Sequence, residues 1–235
     1  MIEEYENKNH NCKGATFFSS WSGGKDSCLA LHRAIRAGAA PKCLLTMLTE
    51  DGNRSRSHGL STNVLRAQAA SLGLPIIFKS TTWNDYEEKF IEAASEIKNT
   101  GADCGVFGDI DIEAHREWVE RVCECAGMRA SEPLWKSARR DLLEEFIGED
   151  FVAKIVVIKK ELLEIKYLGR KLDLELVGEF EKLGIDPSGE NGEYHTVVTD
   201  GPIFKTPLAI EEKEITAIGG YLVLDIGLQS ERHNT

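Results

Sequence analysis

From residue 15 to about 135 the chain repeats one rhythm, a short apolar run followed by an amphipathic segment, and this constrains the fold more than any other feature. The runs are ATFFSSW (15–21), KCLLTMLT (42–49), PIIFKSTT (75–82), CGVFGD (104–109) and MRASEPLW (128–135). Between them, apolar residues recur at helical three-and-four spacing. Cys28, Leu31 and Ile35 form the first stripe, and Val64, Leu65, Ala69 and Leu72 the second. Tyr86, Phe90, Ala93, Ala94 and Ile97 form the third, and Ile112, Val119, Val122, Cys123 and Ala126 the fourth. Strand-helix repeats of this kind predict an α/β fold with a doubly wound parallel sheet, whose ligand crevice lies at the carboxyl ends of the strands.

After Trp135 the rhythm changes. SARRDLLEEFIGED reads as a helix, FVAKIVVIKK as a strand, and LDLELVGEFEKLG as a second helix stopped at Gly184. A turn-rich loop, IDPSGENGEYHTVVTDGPIF, feeds a strand, and KEITAIGG and YLVLDIG read as two more. The expected organisation is a tail over 1–14, a nucleotide-binding domain over 15–135, a smaller α+β domain over 136–228 and a second tail over 229–235.

The 28 basic and 39 acidic residues leave a net charge of −11, which argues against general nucleic-acid binding. No apolar stretch approaches the roughly 18 residues of a membrane span, and the start of the chain is polar and acidic, unlike a secretory signal. A cytoplasmic protein is expected. The six cysteines, Cys12, Cys28, Cys43, Cys104, Cys123 and Cys125, contain no C-x-x-C pair and read as small buried apolar residues in a reducing compartment.

The first run ends in WSGGKDS (21–27) and passes directly into a helix. A helix N-terminus presents backbone N–H groups and a dipole that favour an anion. Gly23 and Gly24 allow close backbone approach, Lys25 adds a positive charge, and the Ser22 and Ser27 hydroxyls can donate hydrogen bonds. Asp26 suits a site where phosphates carry Mg2+, and it is the metal-binding candidate. The loop is not a Walker motif: the position five before Gly24 is Ser19, and Asp26 follows the lysine where Ser or Thr is required.

SGGKDS resembles the pyrophosphate loop of the ATP pyrophosphatases, which split ATP between the α and β phosphates and adenylate their substrate. The resemblance implies ATP as cosubstrate. Adenylation has a clear purpose: a carboxylate is a poor electrophile, and the acyl-adenylate supplies AMP as a stable leaving group while fixed donors stabilise the departing pyrophosphate.

Four further stretches fall at expected strand ends. RSRSHGLST (54–62) carries His58, GDID (108–111) carries Gly108 and Asp109, and EPLW (132–135) carries Glu132 and Trp135. GENGEYHT (189–196) places Glu190 and Glu193 around a turn, followed by Tyr194 and His195. Plainer readings stand beside these: His58 as a polar loop residue, Asp109 or Asp111 as a helix N-cap, EPLW as a domain hinge, and Asn191-Gly192 as a hairpin turn. The acidic cluster can hold ammonium, orient a nucleophile or act as a base.

In this order the motifs resemble the diphthine-ammonia ligase family, over roughly residues 15–205. The resemblance implies a HUP-like domain of the adenine nucleotide alpha hydrolase type, followed by a smaller domain. It implies an AMP-forming ligase that amidates a carboxylate with free ammonia, since no glutaminase domain is recognisable. The family's namesake acceptor is diphthine on translation elongation factor 2. Ser22, Gly23, Gly24, Lys25, Asp26 and Ser27 would bind pyrophosphate, with Lys25 and Asp26 also catalytic. Met47, Leu48, His58, Gly108 and Asp109 would meet the nucleotide. Glu132, Trp135, Glu190, Asn191, Gly192, Glu193, Tyr194, His195 and Thr196 would form the acceptor side, with Glu190, Glu193 and His195 catalytic. Diphthine-specific members typically read E-G-G-E-F-E-T, with an acid where this chain has His195. The ENGEYHT form is similar to a sister group, for which amidation of another acceptor, for example in cobalamin-related metabolism, is the alternative. A tRNA thiolase would need a cysteine pair and a basic surface, and a non-catalytic ATP-binding module would not need Lys25, Asp26, Glu190 and Glu193.

Overall fold

The computed structural model describes residues 12–229. Five strand-helix repeats build the first layer structure. They are β1 (Thr16–Ser20), α1 (Lys25–Arg36), β2 (Ala40–Leu48), α2 (Thr62–Leu72), β3 (Ile76–Ser80), α3 (Tyr86–Asn99), β4 (Cys104–Val106), α4 (Glu113–Cys125), β5 (Arg129–Ser131) and α5 (Arg139–Gly148). The strands form a parallel sheet in the order β3-β2-β1-β4-β5. The order reverses between β1 and β4, where a doubly wound sheet opens its crevice.

Side chains alternate between the faces of a strand, so a sheet covered on both sides needs unbroken apolar runs. Phe17 enters the core beneath α1 and α2, whereas Phe18 enters the opposite core with Phe90 of α3 and Val119 of α4. β5 is shorter than the run 128–135 suggests. Pro133 follows it, and the Trp135 N–H donates to the Glu132 carbonyl in a turn.

The second unit holds β6 (Val152–Lys159), α6 (Leu174–Lys182), β7 (Tyr194–Asp200), β8 (Ile210–Ile218) and β9 (Tyr221–Leu228). Its antiparallel sheet has the order β7-β6-β9-β8. The turn at 189–192 does not close a β-hairpin, because α6 and not a strand precedes it. The core under α1 and α2 continues into this unit through Phe146, Phe151, Val156, Val177 and Val197. The two sheets therefore share apolar packing on one face of the parallel sheet. Among the described residues no helix is long and apolar enough to cross a membrane.

Two expectations are corrected. Cys12 and Cys104 are joined by a disulfide, with Cα atoms 6.1 Å apart. Residues 12–14 are thus tied down and not part of a tail: Cys12 is buried, and the Gly14 N–H donates to the Gly38 carbonyl. Cys28, Cys43 and Cys123 are buried thiols as expected, but Cys125 is exposed. Residues 1–11 and 230–235, the remainder of the two expected tails apart from Gln229, lie outside the described residues.

Candidate functional site

A cavity of about 550 Å³ opens at the carboxyl ends of β1, β2 and β4. That volume suits a nucleotide-sized ligand. Its floor is the turn from β1 into α1. Gly23 sits at φ +82°, a left-handed conformation natural to glycine, and a Cβ there would come within 2.6 Å of Leu60 Cδ1. Gly24 is the N-cap of α1 and supplies no side-chain cap, which leaves the first turn to other partners.

Several of those partners come from β7, far along the chain. The Lys25 N–H donates to Thr196 Oγ1 at 3.1 Å. The Val198 N–H donates to the Gly23 carbonyl at 2.9 Å. Gln68 of α2, fully buried, donates to the Gly23 and Val198 carbonyls at 2.9 and 2.7 Å and accepts from Trp21 Nε1 at 3.0 Å. The GENGEYHT segment therefore runs from the cavity wall directly into the strand that clamps the glycine-rich loop.

Charge is unevenly spread around the cavity. Lys25 is buried, and its ammonium donates to both Asp26 oxygens at 2.9 and 2.7 Å. Burial opposes the Lys25 charge, but Asp26 and the other acidic groups outweigh it and hold the pKa up. Glu190 is pushed up by burial first and by the Asp26 charge second. The His58 and His195 rings lie against each other at a tilt, with centroids 4.6 Å apart. Burial pushes them down to about 4 and about 3, so both are neutral at pH 7. His58 Nδ1 lies 2.8 Å from the Thr196 carbonyl. A carbonyl can only accept, so Nδ1 carries the proton.

The far rim combines aromatic and titratable groups. Trp83 is 74% exposed, stacks on Tyr86 at 6.0 Å and lies under the Arg56 guanidinium at 4.7 Å. Trp118 and His115 of α4 complete this side, and His115 Nδ1 lies 3.1 Å from Asp109 Oδ1. Arg56, Trp83, Tyr86, His115 and Trp118 are cavity residues that the sequence reading does not single out as such. Arg56 stands inside the RSRSHGLST motif, and Trp83 and Tyr86 follow an expected strand end. The same strand-end criterion that selected His58 could have selected them.

Of the residues singled out from sequence, Ser22, Lys25, Asp26, Ser27, Met47, His58, Gly108, Asp109, Glu190, Gly192, Tyr194, His195 and Thr196 line the cavity. Gly23 and Gly24 form the loop backbone behind it, and Leu48 is buried in the core. Gly108 packs against α1: a Cβ there would lie 2.8 Å from Asp26 C and Ser27 N. Glu193 faces the turn. Its carboxylate accepts from the Asn191 N–H at 3.0 Å and from Asn191 Nδ2 at 3.2 Å.

Neither acid of GDID caps a helix, since Ile112 holds the N-cap of α4. Asp109 pairs with His115, while Asp111 receives a two-pronged bond from Arg139 at 2.7 and 2.8 Å. Arg139 also pairs with Asp186, whose carboxylate accepts from the Glu190 N–H at 2.9 Å. One guanidinium thus hangs the GDID and GENGEYHT loops together. Glu132 is 5% exposed, and neither of its oxygens has a partner. Burial, with Asp109 next, pushes it up to about 8. Trp135 Nε1 is also unpartnered, and its ring lies between Arg116 and Lys136 at 5.1 and 4.8 Å. Among the described residues no three His, Cys, Asp or Glu side chains are grouped to hold a metal on their own.

Strand order and loop together define the class, a parallel α/β fold of the HUP, pyrophosphate-loop type. Residues 16–130 match the diphthamide synthase N-terminal domain, and residues 138–229 match the diphthamide synthase C-terminal domain. The chain belongs to the diphthamide synthase family. It is similar to the diphthine–ammonia ligase of Rattus norvegicus, with 28% identity over 221 residues covering 82% of each chain. The Homo sapiens protein of that name is 27% identical over 220 residues, covering 83% of this chain and 82% of its own. The Schizosaccharomyces pombe protein is 26% identical over 216 residues, 83% of this chain but only 36% of the longer relative.

Proposed function

We propose that the protein is an ATP-dependent, AMP-forming ligase that adenylates a carboxylate and joins ammonia to it, as the name of its relatives describes. The observation that carries this reading is the clamp between Thr196 and the α1 N-terminus. It brings the phosphate-binding end of a helix and the acidic GENGEYHT segment into one cavity. In this reading residues 15–135 hold ATP and 136–228 supply the acceptor side. Ser22, Gly23, Gly24, Lys25, Asp26 and Ser27 hold the β and γ phosphates. Met47, with Leu48 behind it, His58, Gly108 and Asp109 meet the rest of the nucleotide.

The acceptor carboxylate attacks the α phosphorus, and the α–β bridge bond breaks with its electron pair leaving on pyrophosphate. The α1 N-terminus and Lys25 stabilise that charge from a buried, fixed position. Ammonia then attacks the acyl carbon, and AMP departs. Glu190 and His195 face the acceptor, with Gly192, Tyr194 and Thr196 shaping its wall and Asn191 and Glu193 bracing the turn. Glu132 and Trp135 support this side from behind the wall. Asp26 fits a role beside Mg2+ brought in by the phosphates: its carboxylate faces the cavity, and the absence of a three-carboxylate cage among the described residues suits an ion bound mainly through substrate. A cytoplasmic setting and a diphthine-type acceptor complete the proposal.

The test is incubation with ATP, Mg2+, ammonium and elongation factor 2 bearing diphthine. AMP and pyrophosphate are expected in equal amounts, and formation of ADP and phosphate alone would overturn the reading.

A further inference from the structure

Making an amide from ammonia requires that a proton leave the attacking nitrogen, and three imidazoles line the cavity as candidates to take it. Their surroundings separate them. His58 has committed Nδ1 to the Thr196 carbonyl, and its ring lies tilted against that of His195 in the half-buried wall beside the loop. Protonating either would place a second cation beside Lys25 in a half-buried wall. His115 stands on the opposite rim on the first turn of α4, with its side chain 56% exposed and Nδ1 against Asp109 Oδ1 at 3.1 Å. Asp109 is 25% exposed and borders the same cavity as Glu190.

We propose that His115, oriented by Asp109, is the proton acceptor of the amidation step; this rests on the ligase reading above. The Asp109 carboxylate accepts the Nδ1–H and thereby leaves the lone pair on Nε2. The ammonia lone pair forms the C–N bond while Nε2 takes one N–H proton. The C–O bond to AMP then breaks, with its electron pair leaving on the phosphate. His115 passes the proton from its exposed edge to water. The hydrogen bond to Asp109 is the largest reason its pKa is raised, with smaller contributions from the charges of Glu190 on the loop before β7 and of the buried Glu132 after β5. Asp109 favours the protonated form of His115, whereas burial disfavours it at His58 and His195.

The experiment separates the two half-reactions, using diphthine-bearing elongation factor 2 as acceptor and ammonium as nitrogen source. In H115Q, acceptor-dependent exchange of labelled pyrophosphate into ATP should stay within about twofold of wild type, while AMP-forming turnover falls about 10²-fold. The acid limb of the turnover-pH profile should disappear in H115Q, and added imidazole should restore part of the turnover of H115A. D109N should move the acid limb to lower pH, since the hydrogen bond to Asp109 is what raises the imidazole. Turnover of H115Q close to wild type, or an equal fall in exchange and turnover, would reject the histidine assignment while leaving the ligase reading intact. A wild-type protein that neither exchanges pyrophosphate nor forms AMP would reject both.

Discussion

The two walls of the cavity are built on opposite principles. The loop wall is closed: Lys25 is paired with Asp26, the Lys25 N–H with Thr196, Gly23 with Val198 and Gln68, and His58 with Thr196. The rim wall is open: His115 and Trp83 are exposed, and Glu132 is buried behind it without a partner. A site for a polyphosphate gains from donors fixed before the ligand arrives, because no reorganisation is then needed as charge develops. A site that moves protons needs an exit to water and a group whose charge can change. In the proposed reaction the contrast fits charge stabilisation at one wall and acid-base work at the other.

The sharpest way to break this contrast is Gly108→Ala. The new Cβ would meet backbone atoms of Asp26 and Ser27, so the α1 N-terminus or the GDID loop must move. Since a displacement of about 1 Å can cost about 10²-fold in rate, AMP formation should fall at least that far, and calorimetric ATP affinity should weaken with it. Unchanged ATP affinity would show that the loop wall is not as closed as its contacts indicate. The next test uses the two glutamates of the same motif. Glu190→Gln should lower turnover about 10²-fold with no loss of melting temperature. Glu193→Gln, whose parent carboxylate braces the Asn191 turn, should lose about 1–3 kcal/mol of stability and affect turnover through that. The reverse pattern would exchange their roles.

Acid titration of stability probes the His58 and His195 imidazoles. Their folded pKa values of about 4 and about 3 lie below the ordinary 6.5. Below pH 6.5 the unfolded chain therefore binds protons that the folded one does not. Stability is full above pH 6.5 and falls as pH drops towards 4, by of order 3 kcal/mol for each imidazole. Denaturant melts at stepped pH should show this slope, and it should shrink in His195→Asn. Glu132 has the opposite sign: raised to about 8 from 4.5, it keeps its proton when folded. Between those values the unfolded chain has already lost the proton, so this group lowers stability as pH rises. Glu132→Gln should raise the melting temperature at pH 8 and above relative to wild type, and no gain would mean the carboxylate finds a partner.

Much of this molecule is legible in one dimension. The strand-helix rhythm from ATFFSSW to MRASEPLW maps onto β1 to β5 in order, because a parallel sheet covered on both faces requires apolar runs whose residues serve two cores. SGGKDS is legible because it acts through its own backbone and helix end. The rim was less so. His115 and Trp118 sit in a helix whose apolar stripe gives no hint of a cavity, and Tyr86 reads as core when it is also wall. Arg139 and Asp186 carry no motif, yet together they place the Glu190 backbone.

Glu190 and Glu193 mark the limit. Three residues apart in one motif, they are equivalent on paper, but the turn at 189–192 sends one carboxylate into the cavity and the other back onto Asn191. The layered fold, the glycine-rich loop that opens α1 and the family are legible in the chain alone, because these depend on local propensity, periodicity and contiguous motifs. Tertiary structure alone shows which acids share a cavity, which imidazoles lie half-buried beside the loop and which one stands exposed on the rim. Those properties depend on burial and on partners that lie far apart in the chain, such as Lys25 and Thr196.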